Sequence, residues 1–375
     1  MSQPAAWGES PWRVALELER PPLPAHCEVA VVGAGFTGLT AAYTLARRGA
    51  NVAVFEAAEL GSGASGRTGG IVLEGSADGP LPESDACIPA LQRILDETAL
   101  DCDLELPGCW ELRHSERDTP LWRDGERNLH VHESVPGGTL DPGKLLAGLA
   151  TAALDAKTRL YESAAVTQIA GGGPLVLRVC DQDVRADHVV LGLNAYTSSV
   201  VSVGEDFHPA LTLAMSTEPL APGTLDAIGL EARRPFYTID LPYLWGRPLG
   251  EDRLIFGGGL AFDVSKRVDR IDLRSQEVAL SLARLEDRVR ALHPALAQVR
   301  IRERWGGPVA FRANRRPILC RHPSLPGLIL SGAYAGHGVA LSVRVGEILA
   351  SAILTDRALP GWGEVDWVSE SREIG

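Results

Sequence analysis

The chain has 375 residues, 45% hydrophobic and 22% charged, a composition typical of a globular protein with one large or two intertwined domains. Its 48 acidic and 36 basic residues give a net charge of -12, which argues against a nucleic-acid partner and mildly favours a cationic substrate. No stretch reaches the roughly 18 apolar residues of a membrane span, and the first residues lack the apolar core of a signal peptide, so we expect a cytoplasmic protein.

The N-terminal residues and the cysteines carry little chemistry. Residues 1–25 are predicted to form an arm that lies on the surface. Trp7 and Trp12 are expected to anchor this arm by packing; the alternative is that they line a substrate entrance. The six cysteines are scattered, without CxxC or metal-ligand spacing. We therefore expect reduced cysteines and no metal site.

The first informative stretch combines a buried strand with a glycine-rich turn. The apolar run Val29–Val32 predicts a parallel strand buried on both faces. Gly33, Gly35 and Gly38 follow it in GxGxxG spacing, which permits a tight turn, close approach of a pyrophosphate and close packing of the next helix. That helix, predicted from Phe36 to Arg48, would direct its N-terminal amides and positive dipole end toward the phosphates.

A second apolar strand, Asn51–Phe55, ends at Glu56, about 20 residues beyond the glycines. An acidic side chain at this distance can accept a hydrogen bond from a ribose hydroxyl. Together the strand, turn, helix and acid predict a dinucleotide site; the alternative is a glycine-rich structural turn. Glu56 favours an unphosphorylated ribose, and hence FAD or NAD over NADP.

The loop Gly61–Gly70 distinguishes these cofactors. It sets Ser65, Arg67 and Thr68 among glycines, so amides, hydroxyls and a guanidinium can approach a phosphate or a flavin ring. A flexible linker is the alternative, although linkers rarely carry an arginine between paired glycines. Because an NAD enzyme has no evident use for such a loop, we expect FAD.

With this loop the chain resembles the FAD-dependent D-amino-acid oxidase superfamily, which includes glycine oxidase, monomeric sarcosine oxidase and gamma-glutamylputrescine oxidoreductase. The run GASGRTGG at residues 63–70 is closest to the last of these. The resemblance implies an α/β protein, with a Rossmann-type FAD-binding domain into which a second α+β substrate domain is inserted. It assigns residues 26–75, 139–197 and 302–356 to the FAD-binding domain and residues 76–138 and 198–301 to the substrate domain.

Several further elements are predicted along the chain. Helices are expected at Ala90–Leu100, at Pro142–Ala156 with Asp141 as its cap, and at Ser275–His293, which has a clear apolar stripe. A strand is expected at Thr158–Ile169. A second strand, glycine-rich turn and helix are expected from Leu328 through Gly332 and Gly336 to a helix at Val339–Leu354.

The resemblance implies the roles of individual residues. Tyr243 and Trp245 would line the substrate cavity, and His337 would either be catalytic or be a ring fixed by backbone contacts beside the flavin. Because Val309 stands where glycine oxidase has a carboxylate-binding arginine, Arg312 is expected to serve instead. The residues expected to contact FAD are Gly33, Gly35, Phe36, Thr37, Gly38, Glu56, Ala64, Ser65, Arg67, Thr68, Gly69, Gly70, Val166, Asn194, Gly307, Gly332, Gly336, His337, Gly338 and Val339.

The implied reaction is oxidation of a C–N bond of an amine or N-substituted amino acid, with hydride transfer to flavin N5 by an oxidase or dehydrogenase. The alternatives are a flavin enzyme for a non-amine such as a hydroxy acid, and a flavin-holding subunit with little activity alone. FAD is expected to be non-covalent, because Pro308 and Val309 follow Gly307 where sarcosine oxidases carry the attaching cysteine. Ile255 occupies the position of their oxygen-activating lysine, which predicts slow reaction with oxygen.

Overall fold

The computed structural model describes residues 7–19, 21–82, 86–116, 119–365 and 367. Within them the strands form two eight-stranded sheets and one two-stranded sheet. The strands are β1 His26–Val32, β2 Val52–Phe55, β3 Ile71–Leu73, β4 Cys109–Ser115, β5 Trp122–Asp124, β6 Arg127–Val135, β7 Gly137–Thr139, β8 Arg159–Tyr161, β9 Val166–Ala170, β10 Leu175–Val179, β11 Gln182–Leu191, β12 His208–Thr217, β13 Phe236–Thr238, β14 Trp245–Leu249, β15 Arg253–Ala261, β16 Ile301–Phe311, β17 Ile318–Arg321 and β18 Leu328–Gly332. The helices are α1 Phe36–Ala46, α2 Cys87–Thr98, α3 Pro142–Asp155, α4 Thr224–Ala227, α5 Gln276–Leu292 and α6 Gly338–Leu354.

The first large sheet has the strand order β17-β18-β11-β1-β2-β8, with the antiparallel strands β10 and β9 attached through β11. Strands β8, β2, β1, β11 and β18 are parallel to one another. Helix α1 packs against α3 and α6 beside this sheet, which leaves Val29, Ala30 and Val31 fully buried in the central strand. The predicted α/β class with a Rossmann-type parallel sheet is confirmed.

The second large sheet has the order β16-β12-β15-β14-β13-β4-β6-β5 and is mostly antiparallel. Helix α5 packs on it through one apolar stripe and is capped by Ser275, whose side chain accepts from the amide of Val278. The small sheet pairs β3 with β7 where the chain leaves the first sheet and returns to it.

Three sequence predictions are corrected by the strand and helix boundaries. The expected strand Thr158–Ile169 is two strands, β8 and β9, that pair with different neighbours and are separated by a turn in which Ser163 has a φ of +51°. Helix α2 begins three residues before the predicted Ala90, since Pro89 is tolerated in the first turn. Residues 302–311 lie in β16 of the second sheet, although the resemblance assigned them to the FAD-binding domain.

The described part of the N-terminal arm runs along the surface, where Glu9, Arg13 and Glu17 are exposed, and two buried tryptophans anchor it. Trp7 is 5% exposed, and its indole nitrogen donates to the carbonyl of Ile271 at 2.7 Å. Trp12 is 9% exposed and donates to the carbonyl of Thr68 at 2.6 Å. Both tryptophans therefore anchor the arm, and Trp12 is attached to the glycine-rich loop. Both also line the large cavity described below, so the alternative of a substrate entrance stays open.

Two negative observations apply to the described ranges. No helix in them is both long and apolar enough to cross a membrane. The six cysteines, all of which fall within these ranges, form no disulfide, and all but Cys180 are buried.

Candidate active site

A cavity of about 2300 Å³ lies where the turns of the first sheet face the second sheet. The turns after β1 and β2 line one part, and residues of β13, β14 and the loop between them line another. Pockets for drug-sized ligands measure about 300–1000 Å³. This cavity therefore has room for a dinucleotide together with a second, smaller molecule.

The glycine turn at the cavity has the close contacts that GxGxxG spacing requires. Gly33 has a φ of +98°, and a Cβ on Gly38 would lie 2.0 Å from the carbonyl oxygen of Gly33. A Cβ on Gly35 would lie 2.9 Å from Oγ of Ser65, which itself accepts from the amide of Phe36 at 3.0 Å. The turn thus forms a narrow cradle of backbone at the N-terminus of α1, which fits a pyrophosphate.

Glu56 lines the cavity at the end of β2. Its Oε2 accepts from the amide of Ala34 at 2.9 Å, and its Oε1 accepts from the amide of Ala58 at 3.2 Å. Burial raises the pKa of Glu56, while these backbone amides oppose the shift. The carboxylate is therefore held in a fixed orientation beside the glycine turn, as a ribose-binding acid would be.

We expect Glu56→Gln to weaken FAD binding by about 10- to 100-fold, because a hydrogen bond to a charged group contributes about 1.5–3 kcal/mol. The measurement is titration of FAD-depleted protein with FAD, followed by flavin fluorescence. Glu28→Gln is the matched control, since Glu28 also accepts a backbone amide, from Asn51 at 3.2 Å, but lies outside the cavity. Equal affinity in both variants would show that Glu56 does not contact the cofactor.

The loop at residues 61–70 is an ordered part of the site, so the linker alternative is wrong. It contains a short 3-10 helix at Ala64–Gly66, and the indole of Trp305 donates to the carbonyl of Arg67 at 3.0 Å. The Arg67 guanidinium donates to the carbonyls of Ser62, Gly8 and Gly306 at 3.0–3.2 Å. This guanidinium therefore ties the loop to the N-terminal arm and to β16.

Trp245 holds the same loop from the second sheet. A Cβ on Gly69 would lie 2.4 Å from its ring, and a Cβ on Gly257 would lie 2.0 Å from it. The indole is thus packed between the glycine-rich loop and β15. Tyr243, which is 39% exposed, also lines the cavity from the loop before β14.

The start of α6 supplies the third part of the site. His337 precedes its first residue and is half-buried, and the His337 and Tyr237 rings meet edge to face with centroids 6.0 Å apart. Burial lowers the pKa of His337, and the positive charge of Arg315 lowers it further. The carbonyl of Ala335 and the carboxylate of Glu111 oppose this shift. The imidazole is therefore neutral at pH 7, beside the positive end of a helix dipole.

Most of the predicted site residues line this one cavity, and four do not. Gly38, Gly70 and Gly332 lie behind it, where added side chains would meet the backbone of Gly33, Leu140 and Asn194. Arg312 is buried elsewhere and pairs with Asp206 at 3.0 Å. Its predicted role in substrate binding is therefore corrected, because this charge is already paired outside the cavity.

Among the polar residues that line the cavity, sequence reasoning missed Glu111 and Arg315, and it placed Tyr237 near the substrate cavity without giving it a role. Glu111 and Tyr237 meet through the pairing of β4 with β13, which are far apart in sequence. Arg315 lies three residues beyond the arginine that was chosen. Among the described residues, no group of three His, Cys, Asp or Glu side chains could hold a metal ion.

The residues that line the cavity favour a cofactor that is bound without a covalent bond. Its described lining includes His337 but no cysteine, and Pro308 and Val309 line it just after Gly307. We expect acid denaturation to release FAD completely into the supernatant. The measurement is the flavin absorbance of the supernatant after centrifugation; fluorescence that remains with the protein band on a denaturing gel would contradict this expectation.

Comparison with known proteins gives a consistent picture. The sequence profile of the family described as DAO, FAD dependent oxidoreductase, matches residues 28–136 and 129–352. The chain is 26% identical to a probable oxidoreductase OrdL of Haemophilus influenzae, over 91% of this chain and 86% of that protein. It is 27% identical to gamma-glutamylputrescine oxidoreductase of Escherichia coli, over 88% of this chain and 84% of that protein.

Two solved structures share the fold. L-proline dehydrogenase from P. horikoshii superposes with a TM-score of 0.72 at 18% identity, covering 91% of this chain and 96% of that one. Glycine oxidase from Geobacillus kaustophilus gives a TM-score of 0.69 at 22% identity, covering 90% and 96%.

Proposed function

The chain belongs to the DAO family of FAD-dependent oxidoreductases, and on this premise we propose that it oxidises a C–N bond of an amine or N-substituted amino acid. The bound FAD would supply the chemistry by accepting a hydride from the carbon attached to nitrogen. The substrate thereby loses two electrons and two hydrogens, one as hydride and one as a proton, and becomes an imine. Water then converts the imine to a carbonyl compound and an amine or ammonia.

The observation that carries this proposal is the composition of the single cavity. Glu56 and the glycine turn at one end suit a dinucleotide, whereas Tyr237, Tyr243 and Glu111 at the other form an aromatic and acidic wall. Such a wall suits an amine better than an anion.

The roles of this chain's residues are mainly binding and orientation. The neutral imidazole of His337 can accept a hydrogen bond from a substrate amino group, and the amides at the start of α6 favour negative charge on any group bound there. A reacting amine that arrives as an ammonium must first give its proton to water or to a carboxylate of the cavity, because its nitrogen needs a free electron pair to form the imine. The Trp245 ring and the loop it contacts would keep the two halves of the cavity at a fixed separation.

A hydroxy acid is the competing substrate class, and Arg315 is the observation in its favour, since a guanidinium at the cavity can bind a carboxylate. Glu111 opposes it because this carboxylate would repel the same ligand. A flavin-holding subunit with little activity alone is the remaining alternative.

The test is turnover of FAD-loaded protein on matched amines and hydroxy acids, with an artificial electron acceptor and identification of the products. We expect ammonia or a smaller amine together with a carbonyl compound, in equal amounts. Formation of a keto acid from a hydroxy acid, with no amine consumed, would contradict the proposal. Activity that appears when a partner protein is added would favour the subunit alternative.

We also expect the reduced protein to react slowly with dissolved oxygen. The chain has three lysines, Lys144, Lys157 and Lys266, all of them in the described ranges, and none lines the cavity. Ile255, at the position of the oxygen-activating lysine of sarcosine oxidases, is fully buried. Stopped-flow mixing of reduced protein with air-saturated buffer measures this rate, and reoxidation as fast as that of glycine oxidase, run in parallel, would contradict the expectation.

A further inference from the structure

The polar wall of the cavity is built from two neighbouring strands. Strands β4 and β13 pair in parallel and place Glu111 directly beside Tyr237, and both residues line the cavity. The hydroxyl of Tyr237 donates a hydrogen bond to Oε1 of Glu111. No other group in the described part of the chain hydrogen-bonds to this carboxylate, so Tyr237 orients it while its second oxygen has no protein donor.

Several aromatic residues lie on the same side of the cavity as this carboxylate. Trp245 is the cross-strand neighbour of Tyr237 on the opposite side from Glu111, and Tyr243 lines the cavity from the adjoining loop. The His337 ring meets Tyr237 edge to face. A cavity wall that carries both a carboxylate and aromatic rings favours an ammonium group, which is attracted by the charge and by ring faces.

The other buried or partly buried acids that line the cavity have partners in the protein. Glu74 accepts from the amides of Cys87 and Ile88 at the start of α2, at 2.6 and 3.0 Å. Asp269 pairs with Arg267 at 2.5 Å. Glu56 is held by two backbone amides, as described above. Glu111 differs from them because its partner is a single neutral phenol, and a partly buried charge of this kind is stabilised by a cation.

We propose that Glu111, oriented by Tyr237, binds the positively charged amino group of the substrate. The substrate class is then a cationic amine, and Glu111 determines specificity against neutral and anionic compounds of the same shape. This inference deepens the proposed function, on which it relies for the identity of the reaction. The binding site itself can be tested without any oxidation.

The probe is tert-butylammonium, whose nitrogen-bearing carbon has no hydrogen and therefore cannot be oxidised. Its neutral counterpart of nearly the same shape is tert-butanol. Calorimetric titration of the FAD-loaded protein with each compound is expected to show tighter binding of the cation. Glu111→Gln should weaken binding of the cation by about tenfold or more, because a charge-assisted hydrogen bond is lost. Binding of tert-butanol and the FAD content should stay unchanged.

Glu133→Gln provides the matched control. Glu133 lies directly across from Glu111 on β6, but it is exposed and lies outside the cavity. We expect this variant to bind tert-butylammonium like the wild type. Tyr237→Phe should weaken binding of tert-butylammonium by a smaller factor than Glu111→Gln does, since the carboxylate remains but loses the hydroxyl that orients it.

Two results would overturn the inference. One is equal binding of tert-butylammonium and tert-butanol to the wild type, a comparison that does not depend on the stability of any variant. The other is equal affinity for the cation in the wild type and in Glu111→Gln. Cation binding that depends on Glu111, in a protein that oxidises no amine, would support the binding site and contradict the proposed reaction, so the two failures are distinguishable.

Discussion

Gly35→Val is expected to yield folded protein without bound FAD. A Cβ at this position would already lie 2.9 Å from Oγ of Ser65, and the two methyl groups of valine would extend into the space where the backbone must approach a pyrophosphate. The hydrogen bond from the Phe36 amide to Ser65 would be broken as well. The measurement is the flavin absorbance of the purified variant per mole of protein.

Gly172→Val is the control for this substitution. Gly172 lies in the turn between β9 and β10 of the same sheet, and a Cβ there would meet nothing within 4 Å. We expect this variant to be as yellow as the wild type. Full FAD occupancy in Gly35→Val would show that the glycine turn is not the phosphate site.

Gly257→Val is expected to lower both the stability of the fold and its affinity for FAD. A Cβ on Gly257 would lie 2.0 Å from the ring of Trp245, which also packs against Gly69 of the glycine-rich loop. The ring must therefore move, and such overpacking costs typically about 1–3 kcal/mol. The thermal midpoint, measured with and without excess FAD, should fall, and the FAD occupancy should fall with it.

Two further variants test whether the cause is this contact. Gly250 lies in the turn of the β14–β15 hairpin, where a Cβ would meet nothing within 4 Å. Gly250→Val should therefore leave the thermal midpoint and the FAD occupancy near the wild-type values. The double variant Gly257→Val with Trp245→Leu should regain stability, since the smaller side chain leaves room for valine. Lower stability in the double variant than in Gly257→Val alone would contradict this explanation.

The dinucleotide half of the site could be predicted because its signals are local. The strand, the glycine turn, the helix and Glu56 follow one another within 31 residues, from His26 to Glu56, and each imposes a distinct backbone requirement. The apolar stripe of α5 and the cap of α3 at Asp141 were likewise local and are confirmed. The expected boundaries differ from the observed ones by a few residues, because helix ends fray.

Only part of the substrate half, Tyr243 and Trp245, could be predicted from the sequence, because the rest depends on strand pairing. Glu111 meets Tyr237 through a parallel pair 126 residues apart, and nothing in the sequence near either residue specifies that register. Arg312 looked suitable because it follows the WGG segment, yet a buried guanidinium is stabilised by its nearest carboxylate, and Asp206 is contributed by a distant loop. The N-terminal tryptophans reach the glycine-rich loop by the same kind of long-range contact.

Anaerobic reduction of the flavin shows which class of compound this cavity oxidises. In the absence of oxygen, FAD-loaded protein would be mixed separately with cationic amines, N-substituted amino acids and hydroxy acids. The absorbance of the oxidised flavin would be recorded after each addition. We predict loss of the oxidised flavin band with at least one amine or N-substituted amino acid and no change with hydroxy acids. Loss of this band with a hydroxy acid, and with no compound that contains an amino group, would contradict amine oxidation.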